Sequence, residues 1–464
     1  MPAVENAAAG APGTLAWRLC DVARTQVADL LRDDSERAST LRQALLAFAV
    51  RVVSAAILYV SQIALARWMG GHQYGIYVFV WTWMLVLGGM SNLGLGTAMI
   101  RLLPEYRVKG EMALLRGLLR DGRLLALGAA TLTALLGFAG LALFGSTTSD
   151  YLLPIYLGLI CVPMITLTDV QDGIGRGSGW MAIALVPPYV LRPVLVLLAM
   201  CAAHALGWPM GAVTAVGAAI VGTWVTAAVQ SLLIYRCLAD QVPAGPRTRP
   251  PDVWLKTSLP LLLIGGSELL LQNTDVLVIS KYLPPDQVAI YFAATKTMAL
   301  VMFIHYAVGS AMAKRFAALN ASGDQAALLQ ITREAVNWTF WPSLAAAIIL
   351  LALGKPLLFL FGPQFVDGYP VMFVLVLGFL FRAAMGPSEF LLNMLGQQKA
   401  CAAVIVSMAA LNVVLQCLAV PQWGSMGAAA VTAVCLSLGA VLNTIVARRR
   451  LGLQIAIWSN LGRS

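Results

Sequence analysis

Apolar runs of about twenty residues recur along the chain, each closed by a polar or turn-forming cluster. About twenty apolar residues in a helix span a bilayer core. The pattern predicts twelve transmembrane helices, at 41–65, 74–101, 123–145, 151–172, 180–204, 209–235, 255–280, 287–313, 336–361, 369–394, 400–419 and 424–447. The connections are short, as in a helical bundle. The longest, 236–254, holds QVPAGPRTRPPD, whose prolines cannot continue a helix, and it reads as a linker between two halves. Residues 1–40 contain Leu15, Leu19, Val22, Val27 and Leu30 at helical spacing, with Arg and Asp on the other side. This is either an amphipathic helix at the membrane surface or a solvated tail. Residues 448–464 read as a basic tail.

Composition supports the membrane reading. Of 464 residues, 59% are hydrophobic and 11% charged, with mean hydropathy +0.80, whereas soluble proteins carry about 25% charged residues. The fold class expected is an all-α polytopic membrane protein. The net charge of +10 is no nucleic-acid signal, because the basic residues lie between apolar spans rather than on one patch. With the N-terminus inside, the inner segments hold 24 of the 31 Lys and Arg, and the outer loops hold only Arg67, Lys281 and Lys355. Both termini and the linker are therefore expected in the cytoplasm. The first 40 residues lack the apolar region of a cleavable signal. The seven cysteines form no CxxC pair and read as small core hydrophobes. There is no HExxH, no GxSxG and no metal-spaced His/Cys cluster, so neither a metal nor another cofactor is expected. The run from Asp172 to Gly179, DGIGRGSG, lacks a preceding strand and a following GK[ST]; it reads as a flexible turn.

A shift of 213–214 residues aligns the two halves. Ala66-Arg67-Trp68 meets Ser280-Lys281-Tyr282, Ile76-Tyr77 meets Ile290-Tyr291, and Gly110-Glu111 meets Gly323-Asp324. The expected organisation is therefore a first six-helix lobe at 41–235 and a second at 255–447, around a central cavity. Six is even, so the lobes share one topology, and such transporters place their site between the repeats.

Residues 65–77, LARWMGGHQYGIY, precede SNLGLGTAMIRLLPE and a basic amphipathic segment. The second half carries QNTDVLVISKYLPPDQVAIY and LNMLGQQK. These stretches resemble the oligosaccharide flippases of the O-antigen type. Those form the polysaccharide-transporter branch of the multidrug/oligosaccharidyl-lipid/polysaccharide exporter superfamily. The resemblance covers most of 41–447. It implies transport of a polyprenyl-pyrophosphate-linked oligosaccharide from the inner to the outer leaflet of a bacterial inner membrane. Its implied partners are that substrate, membrane lipids, H⁺ or Na⁺, and neighbouring polymerases or glycosyltransferases. Lipid II flippases of the superfamily are usually longer, and no thirteenth or fourteenth span is visible here.

Charges inside the spans are the candidate site residues, because each costs roughly 2.5–3.5 kcal/mol on insertion scales. Arg51, near the middle of the first span, either lines a cavity that attracts pyrophosphate or pairs with Glu268 or Asp275. Arg192 follows Pro187 and Pro188 and precedes Pro193; it marks a cavity-lining bend or a packing kink. Lys296 offers a second cation from the other lobe. His305 is expected to face away from it. Glu268, Gln272 and Asp275 share a helix face; the two acids suit H⁺ or Na⁺ coupling, or a fixed ion pair with Arg51 or Lys296. Arg382 and Glu389 share another face, either paired or lining the cavity. Asp169, Asp172 and Arg176 read as a solvated helix end.

Two rivals remain. A cation-coupled drug exporter of the same superfamily would favour an acidic cavity, whereas these charges are slightly positive in balance. A membrane glycosyltransferase or polymerase would usually carry a large polar outer loop, and the outer loops here are short.

Overall fold

The computed structural model describes residues 36–144, 150–453 and 455–458. The expected surface helix at Leu15–Leu31 lies outside these residues. The described chain is helical throughout, without strands. Its elements are α1 (Glu36–Ser91), α2 (Leu95–Val108), α3 (Met112–Gly117), α4 (Arg123–Phe144), α5 (Leu152–Leu159), α6 (Val162–Gly177), α7 (Met181–Val186), α8 (Arg192–Ala205) and α9 (Ala212–Gln241). The second half holds α10 (Pro251–Tyr282), α11 (Pro285–Met298), α12 (Met302–Ser322), α13 (Gln325–Ala352), α14 (Gly354–Phe361), α15 (Tyr369–Ala384), α16 (Ser388–Met394) and α17 (Gln398–Leu451).

Nine helical stretches among the described residues are long and apolar enough to cross a membrane, ten if α5 and α6, bent by 42°, form one span. Two of these are folded back on themselves. In α1 the chain breaks at Gly70 (φ 72°) and in α17 at Gly424 (φ 57°). Tyr74 donates to Gln62 Oε1 at 2.7 Å. In a continuous helix residues twelve apart are about 18 Å apart along the axis, so the chain must reverse between them. Gln416 likewise donates to the Ala428 carbonyl at 3.2 Å across Gly424. Splitting both hairpins gives the twelve crossings that the apolar pattern predicts.

Some left-handed glycines stand at similar separations in the two halves. Gly110 (φ 72°) and Gly323 (φ 74°) are 213 residues apart; Gly179 and Gly396, and Gly207 and Gly424, are each 217 apart. Glycine carries no Cβ penalty at such positions. Trp208 and Trp423 sit next to two of these glycines and are exposed, as interfacial aromatics are.

Several boundaries differ from the expectations. Span three starts at Met112 and runs through a π-turn at Leu118–Gly122. The ninth run ends at Ala352, with α14 a separate helix, and the tenth is broken between Ala384 and Ser388. The expected turn at Asp172–Gly179 is largely helix: α6 runs to Gly177. A methyl on Gly173 would stand 2.0 Å from the Gly96 carbonyl oxygen. Its glycines serve close helix contact, as small residues do in membranes. The linker shrinks to 242–250 and is strapped to α3, where Arg116 donates to the carbonyls of Pro243 (2.7 Å) and Pro246 (3.2 Å).

Large apolar side chains point outward: Leu132, Leu135 and Leu136 on α4, and Leu377 on α15, are all more than half exposed. Lipid solvates such a surface at no cost. The small and aromatic residues fill the interior, including Tyr74, Tyr291, Met99 and Trp254.

Candidate functional site

The halves meet mainly through α1 and α2 on one side and α10, α11 and α14 on the other. The halves touch at both ends: a methyl on Gly94 would lie 2.1 Å from the Ser258 carbonyl oxygen, and a second close contact lies at the end holding the Gly70 turn. A methyl on Gly75 would lie 1.9 Å from the Pro285 carbonyl oxygen, so the two backbones touch. Arg67 donates from Nε to Leu360 O and from Nη2 to Phe359 O, both at 2.6 Å, and lies over the Phe359 ring. Both carbonyls lie in the last turn of α14, where that of Phe359 also accepts from the Gly362 N–H at 3.1 Å. His72 Nδ1 lies 3.2 Å from Asp286 Oδ2, and its Nε2 lies 3.5 Å from Asp150 Oδ2. The Arg67 bonds and the His72–Asp286 contact clasp the halves together at the turn end.

Below the clasp lie two cations, one from each half. Arg192 opens α8 directly after a π-turn at Pro187–Leu191. The prolines carry no N–H and widen the turn, as the sequence implied. Its guanidinium sits 5.4 Å from the Trp81 ring centroid, and Trp81 stacks on Tyr77. Lys296 Nζ sits 4.9 Å from the Phe292 ring centroid, one turn back on its own helix. Trp81 is eleven residues from Gly70 and Lys296 twelve from Pro284, which puts both at about 16–18 Å from the turn end. That is the middle of a hydrocarbon core about 30 Å thick. Neither cation has a hydrogen-bond partner among the described residues, and both side chains are only partly buried. The donors of both are thus open to a ligand.

A family profile described as polysaccharide biosynthesis protein matches residues 40–319. The chain belongs to the polysaccharide biosynthesis protein family. No curated protein matches this family member at a significant level. Its fold is shared with solved transporters of the multidrug/oligosaccharidyl-lipid/polysaccharide exporter superfamily. One is an inward-facing multidrug-resistance transporter, at TM-score 0.71 and 15% identity, covering 87% of this chain and 98% of that one. Another is the lipid II flippase MurJ in an inward closed conformation, at TM-score 0.69 and 12% identity, covering 87% of each chain. A third, from Pyrococcus furiosus, was described as having a binding pocket of reverse polarity; it aligns at TM-score 0.65 and 15% identity, covering 91% and 97%.

In this polysaccharide biosynthesis protein the other charges divide into separate groups. Arg382 Nη2 donates to Glu389 Oε2 at 2.8 Å. The pair spans the non-helical step at Gly386 (φ 61°) between α15 and α16. Glu268, exposed on α10, feels the field of this pair. Asp275 is buried elsewhere. It accepts from the Tyr291 hydroxyl and from Val276 N–H, both at 2.8 Å, with Lys296 its nearby cation. The two acids thus sit in different surroundings despite sharing a helix face.

Arg51 is less central than its place in the apolar run suggested. Its helix begins at Glu36, and Arg51 lies nineteen residues from Gly70, about 28 Å along the axis. This places its backbone near the far end of the bilayer core; its side chain is outside the described set. Asp169, Asp172 and Arg176 belong to α6, and Arg176 pairs with Asp172 at 2.6 Å. Asp169 is the carboxylate whose field reaches Arg192. His305 is 4% exposed, near Arg382, and neither ring nitrogen has a hydrogen-bond partner among the described residues.

Sequence reasoning missed the aromatic platforms Trp81 and Phe292 and the contact of Tyr59 with Thr297, whose hydroxyls are 3.0 Å apart. Phe292 stands four residues before Lys296 and was legible as a helical neighbour. Trp81 and Arg192 are 111 residues apart, and nothing local joins them.

Proposed function

We propose that this protein is a flippase that moves a polyprenyl-pyrophosphate-linked oligosaccharide between leaflets by alternating access. The observation that carries the reading is the pair of open cations, Arg192 and Lys296, at one depth on opposite halves. A pyrophosphate is a compact dianion. Two cations with unused donors, each held over an aromatic ring, offset the loss of its hydration in the membrane interior. The sugars would travel between the halves, and the polyprenyl chain would stay in lipid.

On this reading the lobes are 41–235 and 255–447. The Gly70 turn faces outward, in keeping with the Lys/Arg count, and both termini are cytoplasmic, in a bacterial inner membrane. Release of the clasp at the turn end would open that end and present the head group outside. Arg382 is engaged by Glu389 and serves the structure before the substrate.

The test uses cells that depend on this protein for a surface glycan. Arg192→Gln and Lys296→Gln should each cut export about tenfold or more, since one charged hydrogen bond contributes about 1.5–3 kcal/mol. Lipid-linked oligosaccharide should accumulate on the inner leaflet. Normal export from both variants, at normal abundance in the membrane, refutes the assignment. A drug-resistance phenotype without any glycan defect would move the protein to the drug-exporter class.

A further inference from the structure

We infer that the lipid-facing flank of the last helix holds a specific site for an anionic phospholipid, distinct from the path of the transported substrate. The second arm of α17 carries Val434, Leu438, Val441, Ile445 and Arg448 at steps of three and four residues, so they form one stripe. Val434, Leu438 and Ile445 are exposed at 53%, 37% and 40%. From Val434 to Ile445 the stripe is about 16 Å long, close to the depth of one leaflet. It ends on the Arg448 guanidinium, which has no hydrogen-bond partner among the described residues, next to exposed Arg449.

The end of this stripe is a built crevice. Gly452 (φ 69°) caps α17 and turns the chain back. Leu453, Ile455 and Ile457 then bury themselves against the second half, and the Ile457 N–H donates to the Ala384 carbonyl at 2.9 Å. Of the segment that reads in sequence as a basic tail, 448–451 extend α17 and the described residues beyond Leu451, up to 458, form a strap. Strap and helix enclose about 360 Å³, lined by Val441, Thr444, Ile445, Arg448, Ile455 and Trp458. The Thr444 hydroxyl donates to Ala440 O at 2.9 Å and keeps its lone pairs free. Trp458 is 55% exposed and packs on Phe381, as an interfacial aromatic does.

A groove that is apolar along one leaflet and cationic at its polar end matches one class of ligand. An acyl chain fits the stripe, and a phosphate fits Arg448, whose planar donors suit phosphate oxygens. A soluble peptide would gain nothing from the part of the stripe that faces hydrocarbon. Zwitterionic lipid would leave the charge of Arg448 and Arg449 uncompensated.

The test uses the full-length protein in detergent with phosphatidylglycerol, phosphatidylcholine or glycerol phosphate added. Phosphatidylglycerol should raise the unfolding temperature and be retained in native mass spectra. Phosphatidylcholine and glycerol phosphate should do neither. Arg448→Gln should weaken phosphatidylglycerol binding about fivefold, the equivalent of about 1 kcal/mol per basic residue near a membrane surface. Lys355→Gln, at an exposed cation of α14 near the turn end, should leave it unchanged. Phosphatidylglycerol with a photoreactive acyl chain should label the wild-type protein within 434–458. Equal stabilisation by both lipids, undiminished binding to Arg448→Gln, or labelling confined to other helices overturns the assignment. None of these readouts depends on glycan export, so the site stands or falls apart from the transport reading.

Discussion

Removing Arg67 should loosen the turn-end clasp without unfolding the protein. In Arg67→Ala, two charge-assisted hydrogen bonds of 2.6 Å and a ring contact at 5.4 Å are lost. Such bonds contribute about 1.5–3 kcal/mol each when shielded. Arg67 is exposed, and water can replace it at both carbonyls, so the joint effect should fall to about 1–2 kcal/mol. That shifts the ratio of clasped to open states by about five- to thirtyfold. Spin labels on Val213 of α9 and Gln287 of α11, both exposed near the turn end, would report the opening in a cysteine-free protein in nanodiscs. Pulsed dipolar spectroscopy should reveal a longer distance in Arg67→Ala. Arg67→Lys, which keeps the charge but not the two-pronged geometry, should fall between. A distance distribution in Arg67→Ala identical to that of the parent would refute the claim that Arg67 holds the halves together.

Two glycine substitutions test the packing. Gly75→Ala places a methyl 1.9 Å from a backbone oxygen of the other half, where no side chain can yield. Overpacking of this kind costs typically 1–3 kcal/mol, and it should appear in the same distance measurement as a turn end that no longer closes. Gly173→Ala sets a methyl 2.0 Å from the Gly96 carbonyl within the first half. Its unfolding temperature in detergent should drop by several degrees. Gly128→Ala, with nothing within 4 Å on α4, should be neutral or slightly stabilising.

Much of the fold is legible because the bilayer imposes it. Every backbone polar group in hydrocarbon must bond within its own helix, so apolar length alone reveals the spans. Some turns are legible too, since left-handed backbone favours glycine, as at Gly110 and Gly323. Interruptions of helices are much less legible. Nothing in YPVMFVLVLGFLFRAAMGPSEFLLNM says that the helix stops at Ala384 and resumes at Ser388. A single glycine-proline step can kink a helix or end it, and the packed neighbours choose. The Asp172–Gly179 run was misread for a similar reason. Glycine suits both a loose turn and a close helix contact, and only the position of Gly96 shows which is used.

The site divides in the same way. Composition and spacing single out Arg192, Lys296, Arg382, Glu268 and Asp275, because a charge in an apolar run is costly wherever it occurs. They do not say which charges are open. That depends on partners brought from far along the chain: Glu389 across a helix break for Arg382, Tyr291 for Asp275, Trp81 for Arg192. By itself the sequence determined an all-helical membrane protein and the roster of charges within its apolar runs, for these follow from solvation and local backbone preference. The tertiary structure alone decided which cations are spent on structure, which keep their donors free, and where the halves touch, because those depend on distances between helices that no local stretch encodes.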